Sequence, residues 1–190
     1  HAENWGLVLL SPVDITARKK AEAYLEYLGK HDVLTQLRNR AFYMEELNRL
    51  SRKGPWPLSV IAIDMNGLKT VNDEHGHAAG DAMLRRVGEV LAKAVDAPAC
   101  AARIGGDEFM VLLPATDERG AQAMQERILS LLELNNQFYP GHTIQVSMGS
   151  ACAQEGAFME AVVHRADQEM YAQKSRFYQA REQDRRSDAA

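Results

Sequence analysis

Cysteine is scarce in this chain: Cys100 and Cys152 are the only two among 190 residues. They sit in apolar stretches and match no metal-ligand spacing, which excludes a disulfide framework and a cysteine zinc site. They read as reduced core residues, and the expected compartment is the cytoplasm. An excess of positive charge is also missing. Lys and Arg number 22 against 26 Asp and Glu, a net charge of −4. That argues against nonspecific binding to nucleic acid or to an anionic membrane. No apolar run approaches the roughly 18 residues of a spanning helix, so no direct membrane insertion is expected of this segment. No internal repeat is visible. What is present is ordinary for a globular domain, with 46% hydrophobic and 25% charged residues. The length suffices to bury a core without staples.

The pattern along the chain predicts alternating elements. Gly6-Leu7-Val8-Leu9-Leu10 reads as a strand without a partner in this segment, ending at Ser11-Pro12. Asp14 or Thr16 can cap a helix running to Lys30. Its residues Ala21, Tyr24 and Leu28 have the 3-4 spacing of a short coiled-coil seam, which predicts a dimerising linker helix. The main domain begins near Asp32. Asn39 can cap a helix from Arg40 to about Leu50, broken by Gly54-Pro55-Trp56-Pro57. Leu58 to Ile63 reads as a buried strand ending at Asp64, followed by a glycine-bearing loop. A helix starting near Ala78–Asp81 carries Leu84, Val87, Leu91 and Val95 on one face. Strands over 100–104 and 109–113 flank Gly105-Gly106, a hairpin signal because glycine tolerates positive φ. A helix follows over 117–134 with Met124, Ile128 and Leu131 inward. Then come a strand over 143–151 and a helix over 158–178 burying Phe158, Val162, Ala166 and Met170. The charged residues from Gln179 are expected to fray. Such mixing of helices and strands predicts an α/β fold with a central mixed sheet flanked by helices.

Three groups of residues can do chemistry. Asp64 closes a buried strand, where α/β sheets tend to bind ligands. Alone it is an ordinary strand-end carboxylate. Asp107 and Glu108 follow the two glycines of the hairpin. If the hairpin lies beside the first strand, three carboxylates converge, and a divalent cation relieves their repulsion. Hard oxygen ligands suit Mg²⁺, which keeps positions open for phosphate oxygens. Lys69 offers a point charge for phosphate, and glycines let backbone N–H groups approach it. Acids, lysine and glycine turn together suggest a nucleoside triphosphate. His75-Gly76-His77 has poor ligand geometry and reads as structural, with His77 bonding at the helix start. Asn39 and Arg40 read as a cap and a structural ion pair, and Arg103 as a brace for the hairpin.

The stretches RIGGDEF (103–109), IDMNGLKTVNDEHGHAAGDAMLRRVGEVL (63–91) and HDVLTQLRNRAFY (31–43) resemble the GGDEF domains, the diguanylate cyclases. The likeness covers about residues 32–178. Residues 1–13 resemble the end of a PAS-type sensor domain, 14–31 its outgoing signalling helix, and 179–190 remain a polar tail. The resemblance implies a nucleotidyl-cyclase-like fold with an active-site β-hairpin. It implies condensation of two GTP into cyclic di-GMP with release of pyrophosphate. Asp64, the Met65 carbonyl, Asp107 and Glu108 match the metal positions, for two Mg²⁺ ions with Mn²⁺ as the alternative. Asp107 also matches the general base for the ribose 3′-OH, and Lys69 the lysine at the transferring phosphates. Asn72 and Asp81 match the guanine readers, and Gly105 and Gly106 the turn under the phosphates. A carboxylate at Asp81 pairs with guanine N1–H and its 2-amino group, which adenine lacks.

Two departures stand out. The family's inhibitory Arg-x-x-Asp ends five residues before the glycine pair, and here positions 96–99 read Asp-Ala-Pro-Ala. No feedback binding is expected there. Lys174 matches the family's late lysine, which implies a substrate-binding role on the phosphate side, but Phe177 and Tyr178 replace the glycine and basic residue that follow it. Arg176 and Arg181 are the candidates to substitute. The leading expectation is an active cyclase working as a homodimer under an upstream sensor. The rivals are a silent GTP-binding signalling module and a cyclase that also takes ATP, which Asp81 disfavours.

Overall fold

Leu58–Met65 form one strand, β1, and all eight residues are buried. The computed structural model describes residues 16–139 and 141–187, for 184–187 the backbone only. The expected sensor-domain end at 1–13 lies outside the described residues. β1 is central in a four-stranded sheet of order β2-β3-β1-β4, with β2 at Cys100–Arg103, β3 at Glu108–Leu113 and β4 at Val146–Ala153. All three strand pairings are antiparallel. The expected mixed character comes down to one parallel bridge, Arg38 to Ala102.

A central strand covered on both faces reads as a continuous apolar run, and β1 does. Ile61, Ile63 and Met65 face one core with Met83, Val87 and Leu91. These come from α4 (His77–Ala94), and Ile128 and Leu132 join them from α5 (Glu118–Phe138). Leu58, Val60 and Ala62 face a second core. It holds Tyr43 and Leu50 from α2 (Arg40–Lys53) and Val162, Ala166 and Met170 from α6 (Met159–Ser187). Each large side chain buried this fully contributes about 1.5–3 kcal/mol. Asp64 continues the period of the second face, so a carboxylate is carried to the rim of a buried layer.

The caps follow the sequence. Asn39 accepts the Phe42 N–H at 2.9 Å and opens α2. Asp117 accepts the Gly120 N–H at 2.9 Å and opens α5. α1 spans Thr16–Lys30 as expected and has no buried residue.

Five expectations need correction. The loop after β1 holds a helix, α3 (Leu68–His75), opened by Gly67 at φ 77°. Its Leu68 and Val71 pack on the first core. Phe158 is 69% exposed, and Met159 takes the buried place instead. β4 starts only at Val146, and the Ile144 backbone ahead of it is tied to α5. There Asn136 accepts the Ile144 N–H and donates to its carbonyl. α6 continues to Ser187, past the expected end at Tyr178. His77 does not cap α4: Gly76 holds that position and no side-chain bond is made.

Candidate active site at the ends of β1 and β3

The hairpin between β2 and β3 is closed by the Ile104 N–H donating to the Glu108 carbonyl at 2.9 Å. Neither Gly105 nor Gly106 has a positive φ, contrary to the expected turn. Their value is bare surface. A Cβ at Gly106 would meet nothing within 4 Å, and one at Gly105 only a Glu108 oxygen at 3.4 Å. Arg103 braces the loop as expected. Its Nη2 donates to the Gly106 carbonyl at 2.8 Å, and its Nη1 pairs with Asp32 at 3.2 Å.

Strand register brings the acids together. Asp64 is the Cα partner of Glu108, the last pair of the β1–β3 ladder. The next residue extends the contact, with the Met65 N–H donating to the Asp107 carbonyl at 3.0 Å. Asp64 is only 4% exposed. Burial pushes its pKa up, and the charges of Asp107 and Glu108 push the same way against a hydrogen bond from Lys174. Lys174 Nζ reaches Asp64 Oδ1 at 2.6 Å and is itself half-buried. Met65 is fully buried, its side chain within the first core. Among the described residues no three His, Cys, Asp or Glu side chains are already gathered as a metal shell. Strand register brings the hard oxygen donors of Asp64 and Glu108 to the same end of the sheet.

α3 and α4 carry the remaining positions. Lys69 is exposed in the first turn of α3. Asn72, one turn on, is packed so tightly against Gly80 that a Cβ there would lie 2.1 Å from Asn72 Oδ1. That oxygen is buried without a partner. Asp81 follows Gly80 and is half-buried. The bare backbone at Gly80 thus seats Asn72 beside the residue preceding Asp81. A buried amide oxygen left unpaired is costly.

Three features were not read from the sequence. Tyr178 Oη accepts the Gly67 N–H at 3.1 Å. Asp32 is the partner of the bracing Arg103. Arg86, only 8% exposed, ties α4 to Asn135, Asn136 and the His142 carbonyl. An arginine among the apolar positions of α4 was the available signal for the last. The turn at 96–99 carries one acid, Asp96, paired with Arg127 at 3.2 Å.

Comparison with known proteins places this arrangement. The family model described as diguanylate cyclase, GGDEF domain, matches residues 29–179. The probable diguanylate cyclase DgcE of Escherichia coli is 33% identical over 178 residues, 90% of this chain and 16% of that protein. The cyclic di-GMP phosphodiesterase PdeR of Escherichia coli is 33% identical over 173 residues, 88% of this chain and 26% of its own length. The chain therefore spans about a quarter or less of these two relatives. The coiled coil and GGDEF domain of DgcB from Caulobacter crescentus, solved with c-di-GMP, superposes with a TM-score of 0.77 at 25% identity. It covers 85% of this chain and 89% of that one. The hairpin at Gly105–Glu108, the strand-end Asp64 and the α3–α4 pair thus sit in a known frame, and the chain belongs to the GGDEF-domain, diguanylate cyclase family.

Proposed function

We propose that this domain is an active diguanylate cyclase that joins two GTP into cyclic di-GMP. The observation that carries the reading is the register pairing of buried Asp64 with Glu108, with Asp107 beside them. In each of two reciprocal steps the ribose 3′-oxygen of one GTP bonds to the α-phosphorus of the other, and the second step closes the ring. The α–β phosphoanhydride bond breaks and pyrophosphate leaves. Asp107 takes the 3′-OH proton, a role that contributes roughly 10²–10⁴-fold. Asn72 and Asp81 hold guanine, and Lys69 faces the phosphates. Asp64, Glu108 and the Met65 carbonyl are the residues that would hold Mg²⁺, which neutralises charge on phosphate oxygens. The donor set fits: a buried carboxylate, an exposed one and a backbone oxygen, with crowded negative charge that now leans on Lys174.

Each domain holds one GTP, so two must face each other and dimerisation belongs to the mechanism. Lacking an arginine at 96–99, the domain is not braked by its product there. A second reading, a silent GTP-binding module, draws support from the kinship with a phosphodiesterase and from Lys174 occupying Asp64.

Incubation of the concentrated protein with GTP and Mg²⁺, followed by product analysis, separates the two. Cyclic di-GMP is expected, with an initial rate that added product leaves unchanged. Asp107→Ala should cut the rate by about two to four orders of magnitude. Its melting temperature should hold, because the backbone bond to Met65 survives. GTP binding without any cyclic product would establish the silent module.

A further inference from the structure

Helices α2 and α6 leave a cleft of about 380 Å³ between them, floored by β1 and β3. Met44 and Leu47 line it from α2, and Ile104 and Met110 from either side of the hairpin. On α6, Glu160, Val163, His164 and Asp167 are spaced at i, i+3, i+4 and i+7, one helical face turned to the cleft. Met44 is 55% exposed, and Leu47, Ile104, Met110 and Val163 are half-buried, so this apolar surface stays open to solvent. Among the described residues no lysine or arginine lines the cleft, whereas the carboxylates Glu108, Glu160 and Asp167 do. The ion pairs of α2 and α6 are Arg49 with Glu46 and Lys174 with Asp64. The acids of the cleft are therefore without a cationic partner among the described residues.

We propose that this cleft binds a small amphiphilic cation, an aromatic or alkyl amine whose apolar body lies between the helices and whose ammonium group meets the carboxylates. The volume is at the lower end of small-molecule pockets, roughly 300–1,000 Å³, and accommodates one such molecule. The apolar lining supplies the driving force, since covering Met44, Leu47, Ile104, Met110 and Val163 removes their surface from water. Charge selects the occupant. Carboxylates without a basic neighbour attract a cation and turn an anion away. An ammonium group carries three donors and no acceptor, which suits carboxylate oxygens along one helical face. Glu108 also pairs in register with Asp64, so an occupant sits against the hairpin of the candidate active site. The binding goes beyond the GTP reading and does not rest on it.

The test is an NMR titration of the whole chain, in chelator and without nucleotide. The probes are 4-phenylbutylamine, 4-phenylbutanol and 4-phenylbutyrate, which share a body and differ in charge. The amine should shift the amides of Ile104, Met110, Val163 and Asp167 in a saturable way. The alcohol should bind roughly tenfold more weakly, the loss of one charged hydrogen bond, and the carboxylate more weakly still. Glu160→Gln with Asp167→Asn, both exposed side chains, should bring the amine down towards the alcohol and leave the alcohol unchanged. Val163→Phe, which fills the cleft, should weaken amine and alcohol alike. Should that variant unfold, Met44→Trp fills the cleft from the exposed wall and decides the same question. No saturable shift with the amine overturns the proposal. So does equal binding of the three probes, or an amine affinity that the charge variant leaves unchanged. Cyclic di-GMP formed from GTP by a chain that binds no amine removes the cleft and keeps the cyclase reading. Amine binding by a chain that forms no product keeps the cleft and removes that reading.

Discussion

Asp64 is held between opposed influences. Burial and two neighbouring acids raise its pKa, and Lys174 resists them. A carboxyl whose folded pKa lies above its unfolded value binds its proton more tightly when folded. Its stabilising contribution is complete below the unfolded value, near 3.8, and is lost as pH rises through the raised value. Asp64→Asn removes that loss. Melting temperatures taken in chelator from pH 4 to pH 7 should therefore show the variant gaining on wild type as pH rises. A difference that stays flat across that range would show that Asp64 ionises as freely as in the unfolded chain. Under the proposed reading, a cation bound there would relieve the same crowding. Asp64 was legible as a candidate because an acid after six mostly apolar residues is out of place. Tyr178 was not, because nothing in Phe177-Tyr178 says that a phenol will cap a backbone N–H 111 residues away.

At the scale of elements, the site depends on how closely α6 lies on the sheet. A Cβ at Gly149 in β4 would come within 2.2 Å of the Ala166 carbonyl and 2.3 Å of the Met170 nitrogen. Both are backbone atoms, so nothing can swing aside. Gly149→Ala should lift α6 and cost about 1–3 kcal/mol or more, read as a lower urea midpoint. Lys174 would leave Asp64 and the Gly67 turn would lose Tyr178. GTP affinity should therefore fall more than the lost stability explains. The long elements were legible from their periods: β1 as a buried run, α4 and α5 as amphipathic faces. α3 was not. Its eight residues include Asn72 and Asp73, which are poor helix formers, and it lacks a side-chain cap. Only Leu68 and Val71, three apart, hinted at a face. Phe158 misled for a related reason. Both 158 and 159 are in phase with Val162, but the helix begins at Met159 and only the latter turns inward.

For the whole molecule, the unpartnered helix decides most. α1 buries none of its residues, and Tyr24 and Leu25 are 61% and 67% exposed. It is nevertheless fastened to the domain. Tyr27 stacks on His31 at 4.0 Å, and Asn39 Nδ2 donates to the Gly29 carbonyl at 3.0 Å. A helix shorter than about 12–15 residues is marginal alone, and 15 with an apolar seam gain most by pairing with a second copy. Under the proposed cyclase reading, such pairing would set two active sites face to face. Tyr24→Ser with Leu28→Asp should leave the melting temperature within about 0.5 kcal/mol equivalent, since these residues lie outside both cores. Sedimentation should show fewer dimers at a given concentration. Turnover per chain should fall at low concentration and rejoin wild type when the protein is concentrated enough to restore encounters. A deficit that persists at every concentration would mean that α1 acts within one chain, through the Tyr27–His31 stack, and not by bringing two chains together.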